Sequence, residues 1–165
     1  MAGANPRSIA DKATNPEGDS TVTEIATETV EQTIRISARP ETVWRYWTDP
    51  SRMCDWWGAA AELDPRPGGT CRVEMGGGPV MLGEYLELVP YERIVFSFGW
   101  EQTDAAPAIA PGATRVEVTL TADVGDTILT LRHSGIPPVH VDAHLAGWVH
   151  FLAVLAHAVP QGSTS

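Results

Sequence analysis

The amino-acid sequence predicts an α+β fold in which a curved antiparallel sheet of about seven strands wraps around a long C-terminal helix. Two observations carry this prediction. Residues 138–159 place apolar side chains on one broad stripe at helical spacing, and residues 29–133 alternate apolar and polar side chains over short segments. Two short helices are predicted between the first strand and the second. The stripe on the long helix needs an apolar partner, which the sheet supplies.

The long helix is predicted from residue 138 to residue 159. With 100° between successive residues, one broad side of it is centred on Trp148 and consists of Val141, His144, Leu145, Trp148, Phe151, Leu152, Leu155 and Val159. His150 and His157 fall on the opposite side and are expected to face solvent. Because the small Gly147 stands beside the wide Trp148, this side suits the wall of a cavity as well as a packed core.

The first strand and the two short helices are predicted over residues 29–58. Residues 29–37 alternate Val30, Gln32, Ile34 and Ile36 with polar residues, which predicts a half-buried strand. Pro40 suits the first turn of a helix, and Val43, Trp44 and Trp47 then fall on one side of it. Residues 51–58 are interpreted as a second short helix or turn.

Six further strands are predicted between turn signals, over residues 60–63, 69–75, 80–88, 93–100, 114–122 and 127–133. Gly76-Gly77-Gly78-Pro79 is interpreted as a hairpin turn, because glycine accepts a positive φ angle without a steric clash. Residues 101–112 are rich in proline and alanine and have no period, so they are predicted to form a loop that acts as a lid.

Length and composition limit the number of domains and the classes of partner. The 165 residues fit one domain over 25–160, with a disordered leader over 1–24 and a flexible tail over 161–165. The formal charge of −10 argues against nucleic acid and anionic membranes as partners. The arginine-rich, lysine-poor composition is typical of a bacterial chain.

The cellular compartment is predicted from the apolar runs, the N-terminal residues and the cysteines. No apolar run approaches the roughly 18 residues of a membrane span, and the N-terminus does not have the layout of a signal peptide. Cys54 and Cys71 are too widely spaced for a CxxC motif and are predicted to be free thiols. A cytoplasmic protein without membrane insertion is therefore expected.

Four segments, in chain order, resemble the SRPBCC superfamily, which shares its fold with START domains and with the birch-pollen allergen (Bet v 1-like). These segments are ISARPETVWRYWTDPSRMCDWWG, GEYLELVPYERIVFSFGW, LTLRHSGIP and GWVHFLAVL. Within the superfamily the chain is most similar to the AHSA type, the branch named for activators of heat-shock-protein ATPase. The resemblance extends from about Glu28 to Val159 and implies the helix-grip fold. It does not fix a function, since the superfamily includes lipid carriers, ring cyclases, resistance proteins and chaperone modulators.

Aromatic residues are the main candidates for ligand contacts. Phe96, Phe98 and Trp100 alternate along one strand and therefore share a face of the sheet, while Trp148 and Phe151 approach it from the helix. The predicted ligand-binding residues are Trp56, Trp57, Tyr85, Phe96, Phe98, Trp100, His133, His144, Trp148 and Phe151. Such walls favour a flat, largely apolar ligand. The alternative is that these rings simply fill the core.

The adjacent indoles of Trp56 and Trp57 form a special case within this set. Neighbouring residues on a helix point about 100° apart, so both side chains cannot face inward there. We expect one of the two indoles to line the cavity mouth and the other to pack outward.

Three side chains are candidates for catalysis. His133 and His144 are predicted to be polar anchors that could transfer a proton near neutral pH, and Glu84 is the third candidate. Each of the two histidines could instead be a structural residue with its hydrogen bonds satisfied. A buried Glu84 or Glu62 paired with Arg72 or Arg132 would likewise be structural.

No metal or cofactor is predicted. His140 and His144 are four residues apart and could share a metal ion, but Asp142 points away from them and a third ligand is not evident. The sequence also has no GxSxG motif, phosphate loop or dinucleotide fingerprint.

These observations favour a binding protein over an enzyme. The expected function is to sequester or carry a hydrophobic small molecule that is aromatic, polyketide-like or lipid, in natural-product resistance or transport. One alternative is a polyketide cyclase or aromatase that uses His133, His144 or Glu84. A third is a co-chaperone that stimulates a heat-shock ATPase. The protein is expected to be a monomer or a homodimer.

Overall fold

The computed structural model describes residues 26–104 and 106–160. The predicted leader over 1–24 and tail over 161–165 lie outside these residues. In chain order the elements are β1 (Glu28–Ile36), α1 (Pro40–Thr48), α2 (Pro50–Met53), β2 (Ala60–Leu63), β3 (Thr70–Glu74), β4 (Val80–Val89), β5 (Arg93–Phe98), β6 (Thr114–Asp123), β7 (Asp126–Ile136), a 3₁₀ turn (Pro138–His140) and α3 (Val141–Ala158).

The strands form one antiparallel sheet in the order β1-β7-β6-β5-β4-β3-β2. β1 pairs with the last strand, with Glu28 opposite Ile136, so the first and second strands of the chain lie at opposite edges of the sheet. α1 and α2 make the crossing between these edges, and α3 packs along β1. The predicted arrangement of a seven-stranded sheet, two short helices and a long C-terminal helix is confirmed.

The core lies between the concave face of the sheet and α3. Alternate side chains of β6 and β7 are buried on this face, and they include Val116, Val118, Leu120, Leu129, Leu131 and His133. From α3 the buried side chains are His144, Trp148, Leu152 and Leu155. Each fully buried aliphatic or aromatic side chain contributes about 1.5–3 kcal/mol. The stripe predicted for the long helix therefore faces the sheet, while His150 and His157 are exposed as expected.

The inner side of α1 differs from the prediction at one residue. Tyr46 is buried there together with Val43 and Trp47, whereas Trp44 is only half-buried. The spacing i, i+3, i+4 of the three buried residues defines the inner stripe, and Trp44 lies beside it. The Trp44 ring instead packs edge-on against Tyr91, with centroids 5.8 Å apart.

The last helix is more apolar than expected from the sequence. By length and composition alone, the 21 residues Pro138–Ala158 could cross a membrane, so the prediction that no segment approaches this is wrong. The inner stripe of α3 is nevertheless packed against the sheet. Its outer side adds exposed alanines and Val149, which is 50% exposed. This composition is that of a domain's core helix with small residues on its outer side.

Candidate functional site

A cavity of about 210 Å³ lies between the N-terminal half of α3, the end of β5 and the loop that follows β5. Its lining is almost entirely apolar and consists of Trp57, Met75, Phe98, Trp100, Pro107, Ala143, His144, Gly147, Trp148 and Phe151. Ligand pockets typically measure about 300–1,000 Å³. This partly open cavity therefore fits a small aromatic molecule or one end of a larger one.

The cavity brings together part of the predicted ligand-binding set. The predicted residues on its lining are Trp57, Phe98, Trp100, His144, Trp148 and Phe151. The predicted residues that lie in the surrounding core, outside the lining, are Trp56, Tyr85, Phe96 and His133. Sequence reasoning missed Met75, Pro107 and Ala143, which have no aromatic or titratable group to mark them.

Trp56 and Trp57 both point inward. They are 3% and 5% exposed, and their rings stack with centroids 5.4 Å apart and an interplanar angle of 17°. The prediction that one of them packs outward is wrong, because both lie in the turn after α2 and not on a helix. In that turn Trp56 Nε1 donates to the carbonyl of Tyr46 over 2.7 Å, and Trp57 is left to line the cavity.

Trp47 lies behind the cavity at the centre of the aromatic core. Its ring centroid is 4.6 Å from that of Trp56 and 6.5 Å from that of Trp148. Tyr85 Oη donates to the carbonyl of Trp47 over 2.9 Å, which accounts for Tyr85 being a core residue. Among the described residues, Trp47 Nε1 is the one buried side-chain nitrogen or oxygen without a hydrogen-bond partner. Leaving such a group unpaired costs about 1–3 kcal/mol.

Both ring nitrogens of His133 are already used. Trp148 Nε1 donates to His133 Nδ1 over 3.0 Å. An indole N–H can only donate, so Nδ1 has the lone pair and the proton is on Nε2. Nε2 lies 2.8 Å from Thr114 Oγ1, which in turn donates to the carbonyl of Phe98 over 2.7 Å. His133 is thus the middle of a closed hydrogen-bond chain.

His144, which lies on the cavity lining, likewise accepts a hydrogen bond from an indole and donates one to an oxygen atom. Trp100 Nε1 lies 3.1 Å from His144 Nε2 and must donate to it, so the proton is on Nδ1. Nδ1 lies 2.8 Å from the carbonyl oxygen of His140 and donates to it. Each histidine therefore accepts from an indole, is neutral and has no free nitrogen for a ligand.

The environment of the two histidines keeps them uncharged. Burial, with a smaller contribution from the neighbouring His144, lowers the pKa of His133 from 6.5 to about 3. Burial also lowers the pKa of His144, and the carbonyl of His140 opposes that effect. The cavity is therefore surrounded by neutral groups near pH 7.

The predicted carboxylates are not in the site. Glu84 is exposed on the outer face of β4, between the buried Gly83 and Tyr85, and Glu62 is also exposed. The candidate catalytic residue Glu84 therefore does not face the cavity, because inward-facing Tyr85 forces its neighbour to the opposite face of the strand. Arg72 forms ion pairs with Glu74 and Glu101, at 2.6 and 3.6 Å.

The loop after β5 is the outer wall of the cavity at Pro107. Gln102 Nε2 lies within hydrogen-bond distance of three carbonyl oxygens of this segment, those of Trp100, Pro107 and Ile109. Ile109 is 2% exposed and anchors the loop in the core. Within the segment predicted as a lid, Pro107 thus contributes to the cavity wall, and Gln102 and Ile109 hold their part of the loop in place.

No metal centre is formed by the part of the chain that the structure describes: it has no group of three or more His, Cys, Asp or Glu side chains that could hold an ion. His140 and His144 are joined instead through the backbone carbonyl of His140. Cys54 and Cys71 are free thiols, and burial raises the pKa of Cys71 to about 12.

A curved antiparallel sheet closed over a C-terminal helix, with an aromatic cavity between the two, defines the helix-grip class of the SRPBCC superfamily. Residues 37–159 match the family model described as Activator of Hsp90 ATPase homolog 1-like protein. The chain belongs to this AHSA-type family.

Solved structures of the family agree with the fold. An AHSA1-like protein from Rhizobium etli is 32% identical over 85% of this chain and 87% of its own, with a TM-score of 0.64. DynU16, a protein in the dynemicin biosynthetic locus, is 27% identical over 78% of this chain, with a TM-score of 0.66, and the match spans only 46% of DynU16. The Aha1 dimer from Colwellia psychrerythraea shows the same fold at 20% identity, over 82% of this chain and 98% of its own, with a TM-score of 0.68. No protein with a curated functional description matches the chain.

Proposed function

We propose that this protein binds an uncharged, flat hydrophobic small molecule in the cavity under α3 and releases it unchanged. The observation that carries the proposal is that rings line the cavity while the histidine nitrogens beside it are already hydrogen-bonded. A charged or strongly polar ligand group would lose its hydration without gaining a partner there. An aromatic ring would gain stacking and burial.

The same hydrogen bonds argue against catalysis. A general acid or base must reach the substrate with a titratable nitrogen or oxygen. His133 Nδ1 and Nε2 are both paired inside the core, and the pKa of this histidine is lowered to about 3. Glu84 faces away from the cavity. We therefore rank binding above a cyclase or aromatase activity.

The biological setting is proposed from one relative. DynU16 belongs to the dynemicin biosynthetic locus, which supports a natural-product ligand for a chain that shares its fold at 27% identity. We propose a role in sequestering or carrying an aromatic, polyketide-like product in the cytoplasm, as a monomer or a homodimer. Stimulation of a heat-shock ATPase follows from the family's descriptive name alone and ranks below ligand binding.

The proposal is tested by titrating the full chain with N-phenyl-1-naphthylamine, an uncharged aromatic probe that fluoresces in apolar sites. We expect saturable binding, quenching of tryptophan fluorescence and recovery of the probe with unchanged mass. The substitution Phe151→Ala removes part of the cavity wall and should raise the Kd of the probe at least fivefold. Val149→Ala, on the exposed side of the same helix, is the matched control and should leave the Kd unchanged.

Three results would redirect the assignment. A natural-product substrate recovered with altered mass would indicate an enzyme. A heat-shock ATPase accelerated by the chain would indicate a co-chaperone. Equal binding by Phe151→Ala and wild type would place the probe outside this cavity.

A further inference from the structure

Gly147 lies in the middle of α3, where a glycine is unfavourable. Relative to alanine, glycine inside a helix lowers the folding equilibrium constant about fivefold. A structural reason for keeping it would be a positive φ angle or a close approach of another part of the chain. Gly147 has neither, because its backbone is helical and a Cβ atom at this position would meet no heavy atom within 4 Å.

Two glycines elsewhere in the domain, Gly83 and Gly99, do have such a reason. A Cβ atom on Gly83 would lie 1.8 Å from the carbonyl oxygen of Ser97, and one on Gly99 would lie 1.8 Å from that of Ala110. At these two sites the backbone of a neighbouring segment occupies the space. At Gly147 the space is empty, and it is part of the cavity.

Ala143 extends this empty strip by one helical turn. Residues i and i+4 are neighbours on one side of a helix, and both Ala143 and Gly147 line the cavity. Together they expose helix backbone where larger side chains would fill the space. The other walls include the rings of Trp57, Phe98 and Trp100. We call this space, which has helix backbone and small side chains on one side and aromatic rings on the others, the slot.

We propose that Gly147 is the residue that sets ligand specificity: it keeps the slot open for a planar aromatic ring that lies against the backbone of α3. This inference rests on the proposed binding function and narrows the ligand class to flat ring systems, excluding globular aliphatic molecules of similar volume. The stability lost in the helix is then the cost of the binding space.

The test compares Gly147→Ala and Gly147→Leu with wild type, using N-phenyl-1-naphthylamine as the probe. Gly147→Ala should raise the thermal midpoint by about 3 °C and weaken probe binding a few-fold. Gly147→Leu should weaken binding more than tenfold with an unchanged circular dichroism spectrum. Ala153→Leu places the same leucine side chain on the exposed side of α3 and should bind the probe like wild type.

Ligand shape is tested by displacement of the probe with two alcohols of similar size. In wild type, flat 1-naphthol should displace the probe at a concentration at least tenfold lower than globular 1-adamantanol. Equal potency of the two alcohols, undiminished binding by Gly147→Leu or a lower midpoint for Gly147→Ala would each overturn the inference alone. No probe binding by wild type would overturn the proposed function as well, so the two failures are distinguishable.

Discussion

The indole Nε1 of Trp148 donates a hydrogen bond to Nδ1 of His133 over 3.0 Å, and this bond joins α3 to β7. It fixes the tautomer of the histidine and the orientation of the indole that lines the cavity. Trp148 is 3% exposed and His133 is fully buried. His133 therefore fixes one wall of the cavity from behind, and it is not itself part of the cavity lining.

The pH dependence of stability should reflect His133. Its pKa is about 3 in the folded protein against 6.5 ordinarily, so between these values the unfolded chain binds more protons. The free energy of unfolding should consequently fall as the pH drops from about 6.5 towards 3, by on the order of 4 kcal/mol from this group. Above about pH 7 the group should have no effect. Urea unfolding of wild type and His133→Gln at pH 7, 6, 5 and 4 measures the difference, and equal slopes for both would contradict the assignment.

Thr114 should stabilise the fold through its hydroxyl. It bridges His133 Nε2 and the carbonyl of Phe98, at 2.8 and 2.7 Å. Thr114→Val keeps the shape but leaves both groups unpaired, and should cost about 1–3 kcal/mol. Thr114→Ser retains the hydroxyl and should cost clearly less. Chemical denaturation gives both values, and similar losses for Val and Ser would mean that the methyl group matters more than the hydrogen bonds.

Removing the indole N–H of Trp100 should raise the pKa of His144. That N–H donates to His144 Nε2 over 3.1 Å, which favours the neutral imidazole. In Trp100→Phe the nitrogen loses its donor and becomes available to a proton. An NMR titration of the His144 ring protons measures the change, with Trp44→Phe, at a half-buried indole on α1 that packs against Tyr91, as the control. A pKa that stays as low as in wild type would show that the indole N–H of Trp100 does not contribute to it.

Two tyrosine hydroxyls should differ in their contribution to stability. Tyr85 Oη donates to the carbonyl of Trp47 over 2.9 Å inside the core, whereas the contact of Tyr46 Oη with the carbonyl of Ala158 is 3.5 Å long. Tyr85→Phe should therefore lower the free energy of unfolding by about 1–2 kcal/mol, and Tyr46→Phe by less than about 0.5 kcal/mol. Thermal and chemical unfolding of both variants measure these losses. A larger loss for Tyr46→Phe than for Tyr85→Phe would show that the hydrogen-bond lengths do not govern stability.

The order of the elements and the inner stripe of α3 could be predicted because periodicity reports directly which side of an element is apolar. Alternation placed Phe96 and Phe98 on the inner face, where both are buried. The same alternation also explains why Glu84 is exposed: because Tyr85 is buried, its neighbour in the strand must face outward. Periodicity does not show which of the side chains on one face line a cavity and which pack behind it. It therefore did not separate Phe98, which lines the cavity, from Phe96, which packs behind it.

The roles of the histidines were beyond the sequence for a different reason. The partners of His133 are 15 and 19 residues away in the chain, and Trp100 is 44 residues from His144. Only the folded sheet and helix bring these groups together. The sequence leaves residues 51–58 open between a short helix and a turn. The expectation for Trp56 and Trp57 uses helical spacing, whereas both residues lie in the turn after α2.

The indoles of Trp47, Trp56, Trp57 and Trp148 lie so close together that their excited states cannot be independent. Ring centroids of neighbouring members are between 4.6 and 6.5 Å apart. At such separations the electronic transitions couple, and the near-ultraviolet circular dichroism of the folded chain belongs to the whole cluster. The protein thus contains its own optical reporter, whose signal will change when any one ring turns and will lose the couplings of Trp148 when α3 moves away from the sheet.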